Sequence, residues 1–140
     1  MPASHVTRDQ QRAQAAYERI MKVDREPWRK DYGRQCLNLP FLIQRCGLCQ
    51  AITFLDSKSA ADSREYLRYL LRDFAEVSGI ADSQAELVTA VRGSSNMGAD
   101  NTLRQYQWMT REALACSIWF KRYAEAVLKV QLGEGEDTDR

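Results

Sequence analysis

Apolar residues recur at helical spacing along most of the chain. Between Thr7 and about Asp24, apolar residues lie three or four positions apart, as on one side of a helix: Ala13, Ala16, Tyr17, Ile20 and Met21. Thr7 and Gln10 have the spacing of a capping box, in which each side chain bonds the backbone amide of the other residue. The pattern predicts a first helix over this segment.

A break in this pattern follows the first helix. Pro27, Trp28 and Gly33 interrupt the apolar spacing, and proline and glycine are the strongest local breakers of helices. Residues 25–33 are therefore predicted to form a connector, with Trp28 packed down onto the protein.

The next apolar segment is interpreted as a central helix. It runs from about Asn38, as N-cap, to Asp56, and its apolar residues lie on nearly every side, which is typical of a buried helix. A helix that begins earlier and is kinked at Pro40 is the alternative. Gly47 would weaken the helix, so it is expected at a place where a neighbouring helix crosses closely.

Three more helices complete the predicted fold. They are expected at about 59–79, 83–93 and 100–132. Serines at the start and glycines at the end delimit the first two, and the third contains no helix-breaking residue. The predicted fold class is all-α: a single-domain bundle of about five helices in residues 1–132, with a long C-terminal helix. Residues 133–140 are expected to be a disordered acidic tail.

Composition supports this fold class. A chain of 140 residues suits one domain, and 7 Gly with 3 Pro are too few for the regularly spaced turns of a β-sandwich. No apolar run reaches the length of a membrane span, and residues 1–9 contain no apolar stretch that could act as a secretory signal. The expectation is a soluble, cytoplasmic protein without a membrane partner.

The residues offer little chemistry for catalysis. His5 is the one histidine, and Cys46 and Cys49 have C-x-x-C spacing but no second pair to complete a zinc ribbon. The cysteines lie on apolar faces, where buried thiols are inert. The sequence therefore predicts no catalytic residues, no metal site and no cofactor.

Charge points weakly to binding. The net charge is only +1, although 15 of the 20 basic residues are arginine, which suits forked contacts to phosphate. Three rows of basic residues lie along predicted helices: Arg8, Arg12 and Arg19; Arg64, Arg68 and Arg72; and Lys121 with Arg122, beside Trp119 and Phe120. The competing interpretation is that these rows are ordinary solvated surface.

The sequence resembles the small all-helical subunit of the Cmr (type III-B) CRISPR effector complex in three segments that follow one another in order. The first consists of Gln11, Arg12, Ala13, Ala16 and Ile20. The second consists of Leu39, Pro40, Ile43, Gly47, Leu48, Gln50, Ala51, Phe54 and Leu55. The third consists of Tyr106, Thr110, Arg111, Glu112, Ala113, Leu114 and residues 119–126. Residues 56–105 match only as generic helix.

The resemblance implies a non-catalytic subunit that stacks along the duplex of guide RNA and target RNA. Its implied partners are the large subunit, the backbone subunits, further copies of itself and both RNAs. Basic residues beside the matching helices but off their apolar faces are the expected phosphate contacts: Arg12, Arg19, Arg45, Arg111, Lys121 and Arg122. Arg64 and Arg68 are second choices.

Two alternatives stay open from the sequence. One is the small subunit of another CRISPR effector type, since such subunits share helical bundles and basic faces. The other is a helical adaptor that binds only protein, in which the arginine rows are ordinary surface.

Overall fold

The computed structural model describes residues 6–93 and 99–131, with side chains in the last helix described from Leu103 onward. This part of the chain consists of six α-helices and one 3-10 turn (Asp62–Arg64), without a β-strand. The helices are α1 (Arg8–Val23), α2 (Arg29–Cys46), α3 (Leu48–Lys58), α4 (Glu65–Ser78), α5 (Gln84–Arg92) and α6 (Ala99–Ala126). The all-α fold with a long C-terminal helix is confirmed. Most of the predicted 93–99 loop, and the acidic tail, lie outside the described residues.

Local signals in the sequence define several helix ends correctly. The Thr7 hydroxyl accepts from the Gln10 amide at 3.1 Å, and the Gln10 side chain accepts from the Thr7 amide at 2.8 Å, which completes the predicted capping box. Ser83 caps α5 by accepting from the Glu86 amide at 3.2 Å. Gly79 ends α4 in the left-handed conformation, with φ of 75°.

The predicted start of the second helix at Asn38 is wrong, and the alternative of an earlier start is confirmed. The helix begins at Arg29, so most of the predicted connector is helical and Pro40 lies in the helix interior. An interior proline costs about 3 kcal/mol. Burial of several apolar side chains, at about 1.5–3 kcal/mol each, offsets that cost; they include Tyr32, Cys36, Leu39 and Ile43.

Trp28 precedes α2 and packs down as expected. Its ring stacks on Tyr69 of α4, with centroids 5.0 Å apart, and on Tyr32 with centroids 5.9 Å apart. These contacts tie the beginning of α2 to α4.

Gly47 divides the predicted central helix into α2 and α3. Its φ of 87° and ψ of 157° lie in a region that is essentially open to glycine alone. It is not the predicted close crossing, because a Cβ there would lie 3.7 Å from the Tyr106 hydroxyl, an ordinary contact. The break redirects the chain so that α3 packs against α5.

The close approach of two segments occurs instead at Gly33 of α2. A Cβ on this glycine would lie 2.9 Å from Val130 Cγ2 and 3.3 Å from Leu128 Cδ1. Both partners follow α6, which ends at Ala126 rather than near residue 132. A continued helix would point Leu128 and Val130 about 160° apart, to nearly opposite sides, whereas the irregular segment buries both side chains fully.

Helix α6 is antiparallel to α2 and also packs along α1. The end of α6 meets Gly33 near the start of α2, while Tyr106, early in α6, accepts from the Cys49 amide at 2.9 Å just beyond the end of α2. The largest fully buried side chains between the helices include Ile20, Tyr32, Ile43, Leu67, Phe74 and Phe120. Within the described residues, no helix is long and apolar enough to cross a membrane.

Gly47→Ala is expected to lower the free energy of unfolding by about 2 kcal/mol, because an L-residue is strained at this backbone conformation. Gly79→Ala is the matched control. Gly79 has the left-handed conformation, which alanine can adopt, so this variant should lower the free energy of unfolding by only about 1 kcal/mol. Urea unfolding of both variants measures the difference. Equal stability of Gly47→Ala and the unmodified protein would contradict the break at this glycine.

Candidate nucleic-acid interface

Helix α6 presents two different faces. One side is buried against the other helices and includes Met109, Ala113, Cys116, Phe120 and Ala124. The other side carries a row at alternating steps of four and three residues, which keeps it on one face: Arg104, Trp108, Arg111, Ala115, Ile118 and Arg122. All of these except half-buried Ala115 are exposed, and none is acidic. We call this row the α6 stripe; it is about 27 Å long at 1.5 Å per residue.

A groove of about 560 Å³ runs between α2 and one end of the α6 stripe. Leu37, Asn38, Pro40, Phe41 and Gln44 line it from α2; Ile118, Lys121 and Arg122 line it from α6. Phe41 is 59% exposed, the most of any large apolar side chain described. The groove therefore combines an aromatic wall with two cations.

Two arginines at this groove lie close to aromatic rings, one of which (Phe41) lines the groove while the other (Trp119) lies outside it. The Arg45 guanidinium lies 5.6 Å from the centre of the Phe41 ring, and that of Arg122 lies 5.3 Å from the centre of the Trp119 ring. The Lys121 ammonium lies 3.9 Å from a carboxylate oxygen of Glu125, and both side chains are exposed. Such exposed pairs contribute little stability, so these cations can turn to another anion at low cost.

Arg12 has a different environment from the groove cations. Its Nε donates to Glu112 Oε2 at 2.9 Å, and Arg8 donates to the other oxygen at 3.1 Å. Burial acts to lower the pKa of the Arg12 guanidinium, but hydrogen bonds with Glu112 and Asp9 and the Glu112 charge raise it above its ordinary value. Arg12 thus holds α1 to the buried Glu112 of α6.

Arg19 is similarly engaged, with α4. It contacts Asp73 at 3.2 Å and also pairs with Glu76. Asp73 is buried and accepts a hydrogen bond of 2.8 Å from the Tyr32 hydroxyl. The neutral Tyr32 hydroxyl and the exposed Arg72 guanidinium are the other described partners of Asp73. Arg19 therefore supplies a positive charge that this buried carboxylate needs.

The structure brings four of the six predicted residues to one region of surface. Lys121 and Arg122 line the groove, Arg45 lies over its Phe41 wall, and Arg111 lies further along the α6 stripe. The second choices, Arg64 and Arg68, lie at the start of α4 outside the groove lining, and Arg68 donates to the Ser59 carbonyl at 3.0 Å.

Several residues of this surface were not singled out from the sequence, among them Phe41, Trp108 and Arg104. The alternating spacing of Arg104, Trp108 and Arg111 is a signal that the sequence already contained.

The cysteines differ in exposure more than expected. Cys36 and Cys116 are buried, and burial together with the Glu112 charge raises the pKa of Cys116 to about 12. Cys46 is exposed, however, so the expectation of a buried thiol there is wrong. Cys46 is the last residue of α2, because the helix breaks at Gly47. Among the residues the structure describes, no group of three or more His, Cys, Asp or Glu is placed to hold a metal ion.

Arg12→Ala is expected to lower the free energy of unfolding by about 2 kcal/mol, since Glu112 stays buried and, among the described residues, keeps only the exposed Arg8 as a cationic partner. Arg111→Ala is the matched control, because Arg111 is exposed and pairs with no carboxylate in the described part of the chain; its expected change is within about 0.5 kcal/mol. Thermal or urea unfolding gives both values, and equal effects would refute a structural role for Arg12.

Comparison with known proteins identifies the family. The family profile described as "CRISPR-associated protein (Cas_Cmr5)" matches residues 8–127. A curated relative, "CRISPR system Cmr subunit Cmr5" from Thermus thermophilus, is 37% identical over 123 residues, which cover 88% of this chain and 97% of the relative.

A solved structure agrees with that match. The crystal structure of a CRISPR-associated Cmr5 family protein from Thermus thermophilus superposes with a TM-score of 0.74 at 37% identity, covering 87% of this chain and 97% of that one. The resemblance in the three segments is thereby confirmed, and the alternative of a small subunit from another CRISPR effector type is excluded. The chain belongs to the Cmr5 family of CRISPR-associated proteins.

Proposed function

We propose that this chain is a non-catalytic small subunit of a Cmr complex, that it stacks along the duplex of guide RNA and target RNA, and that it helps to bind the target. The α6 stripe is the observation that supports this most. It places Arg104, Arg111 and Arg122 along about 27 Å of one helix face without a carboxylate in the row. A linear polyanion is the ligand that matches such a row.

Within this proposal, Arg45, Arg111, Lys121 and Arg122 contact phosphates. Phosphate contacts position a protein on nucleic acid without reading its sequence, which suits a subunit that must accept any guide. Arg12 and Arg19 were expected to share this role. Their ion pairs with Glu112 and Asp73 favour a structural role for them instead.

The proposed partners are the large subunit, the backbone subunits, further copies of this chain, guide RNA and target RNA, assembled in the cytoplasm. Exposed apolar side chains outside the groove suit the protein contacts of such an assembly. Phe54 on α3 is 50% exposed and Leu103 on α6 is 57% exposed. Burial of these side chains would stabilise contacts with neighbouring subunits.

A helical adaptor that binds only protein is the second candidate function. The apolar residues in the groove favour it, because Phe41 and Ile118 would both be covered by a protein neighbour. In that case Lys121 and Arg122 would pair with carboxylates of the partner rather than with phosphates.

Changing Lys121 and Arg122 together to glutamate separates these functions. Each lost phosphate contact costs on the order of 1 kcal/mol, so the assembled complex should retain target RNA about 30-fold less well, to a similar degree for all target sequences. Filter binding across a salt titration measures the loss. Circular dichroism should show unchanged helicity.

Lys22→Glu with Arg25→Glu is the control, since it makes the same change in net charge at exposed residues outside the groove. The control complex should retain target as the unmodified one does. Failure of the Lys121 and Arg122 variant to enter the complex would assign this pair to a protein contact. Normal assembly with undiminished retention would refute the RNA assignment.

The isolated chain is expected to show no metal-dependent RNA cleavage. Glu112 and Asp73, two carboxylates of the core, are buried and already accept hydrogen bonds from arginines, which leaves them poorly placed to bind a metal ion. Incubation of purified chain and labelled RNA with Mg²⁺ or Mn²⁺ checks this. Cleavage that copurifies with the chain and is lost in Glu112→Gln or Asp73→Asn would overturn the non-catalytic assignment.

A further inference from the structure

The groove between α2 and α6 has the walls of a small-molecule site. Its volume of about 560 Å³ lies within the range of about 300–1,000 Å³ found for ligand pockets. Leu37 is 4% exposed and forms the floor. The Phe41 ring, the Pro40 ring and the Ile118 side chain line the groove around it, so a flat apolar group that enters would bury part of its surface against them.

The two amide side chains of the groove have no hydrogen-bond partner among the described residues. They belong to Asn38 and Gln44, which line it from α2. Each amide offers both donors and an acceptor. Lys121 and Arg122 supply positive charge from α6.

We propose that this groove holds a single unpaired nucleotide of bound RNA. The base stacks on Phe41, the amides of Asn38 and Gln44 hydrogen-bond to its edge, and its phosphates face Lys121 and Arg122. Unpaired RNA bases can stack on aromatic rings and expose their edges to hydrogen-bonding side chains. Because an amide carries both donors and an acceptor, it can bond the edge of any base. The inference rests on the proposed RNA-binding function and extends it to a defined site.

A helix from a protein partner fits the groove less well. Helix-in-groove docking uses anchors at several successive turns, which requires an extended apolar groove. Here the apolar wall is confined to half-buried Pro40 and exposed Phe41 and Ile118, and the remaining side chains at the rim are amides or cations. This combination matches one base with its phosphates.

Phe41→Ala in the full-length chain tests the stacking contact, with fluorescence anisotropy of a short labelled oligouridylate at low salt as the readout. Loss of one base–aromatic stack should weaken binding at least about fivefold. Phe41→Trp should restore it, because the larger ring still stacks. An oligomer of the same length with abasic sugars should bind the unmodified chain and Phe41→Ala equally.

Phe54→Ala is the matched control. Phe54 is 50% exposed, and the Lys58 ammonium lies 4.9 Å from the centre of its ring. Lys58 follows Phe54 by four residues, as Arg45 follows Phe41. Phe54, however, lies on α3 and outside the groove. This variant should bind oligouridylate as the unmodified chain does. Circular dichroism and urea unfolding establish that both variants are folded.

Several outcomes would overturn the site. One is equal binding of oligouridylate by Phe41→Ala and the unmodified chain. Another is that Phe41→Ala weakens binding of the abasic oligomer as much as it weakens binding of oligouridylate. The third is that the unmodified chain does not bind oligouridylate at millimolar concentration. An effect of Phe41→Ala on complex assembly alone would assign the groove to a protein. The proposed function would survive each of these if the Lys121 and Arg122 variant still lost target RNA in the assembled complex.

Discussion

The packing of one side of α6 onto α2 and α1 is the constraint on which the rest of the structure depends. Phe120 and Cys116 are fully buried on that side, and the segment after the helix folds back so that Leu128 and Val130 meet Gly33. A helix of 28 residues, about 42 Å long, cannot bury its whole circumference in a bundle of this size. The α6 stripe is therefore left facing solvent, together with the groove that α2 forms beside it.

Two carboxylates determine which arginines are available for a ligand. Glu112 and Asp73 are buried, and each requires cationic partners because an unpaired buried charge is strongly destabilising. Arg12 and Arg19 of α1 meet this requirement and so lock α1 to α6 and α4. Arg111 and Arg122, which pair with no carboxylate in the described part of the chain, stay exposed on the surface.

How far the sequence predicts the fold depends on the range of the interactions. The cap at Thr7 and the stop at Gly79 were predicted correctly, because their contacts join residues within four positions of each other. The break at Gly47 and the early end of α6 were not, because they depend on how distant helices meet. Before the fold is known, a glycine at a helix crossing and a glycine at a helix break look alike.

The candidate site follows the same rule. Helical spacing alone brings Arg111 and Arg122 onto one face, and the family resemblance singled out the surrounding segments. The ion pairs that engage Arg12 and Arg19 cross 100 and 54 positions of sequence, so they could not be read from any local pattern. The groove likewise requires α2 and α6 side by side, and Pro40 and Gly47 obscured where α2 begins and ends.

Hydroxyl-radical footprinting of the assembled complex, with and without target RNA, tests most directly whether the α6 stripe and its groove face the nucleic acid. All the reporting side chains are exposed in the free chain. The account predicts that target RNA lowers the oxidation of Phe41, Trp108 and Ile118, while Phe54 and Tyr69 are oxidised equally in both states. Protection of Phe54 or Tyr69 with no change at Phe41 and Trp108 would contradict it.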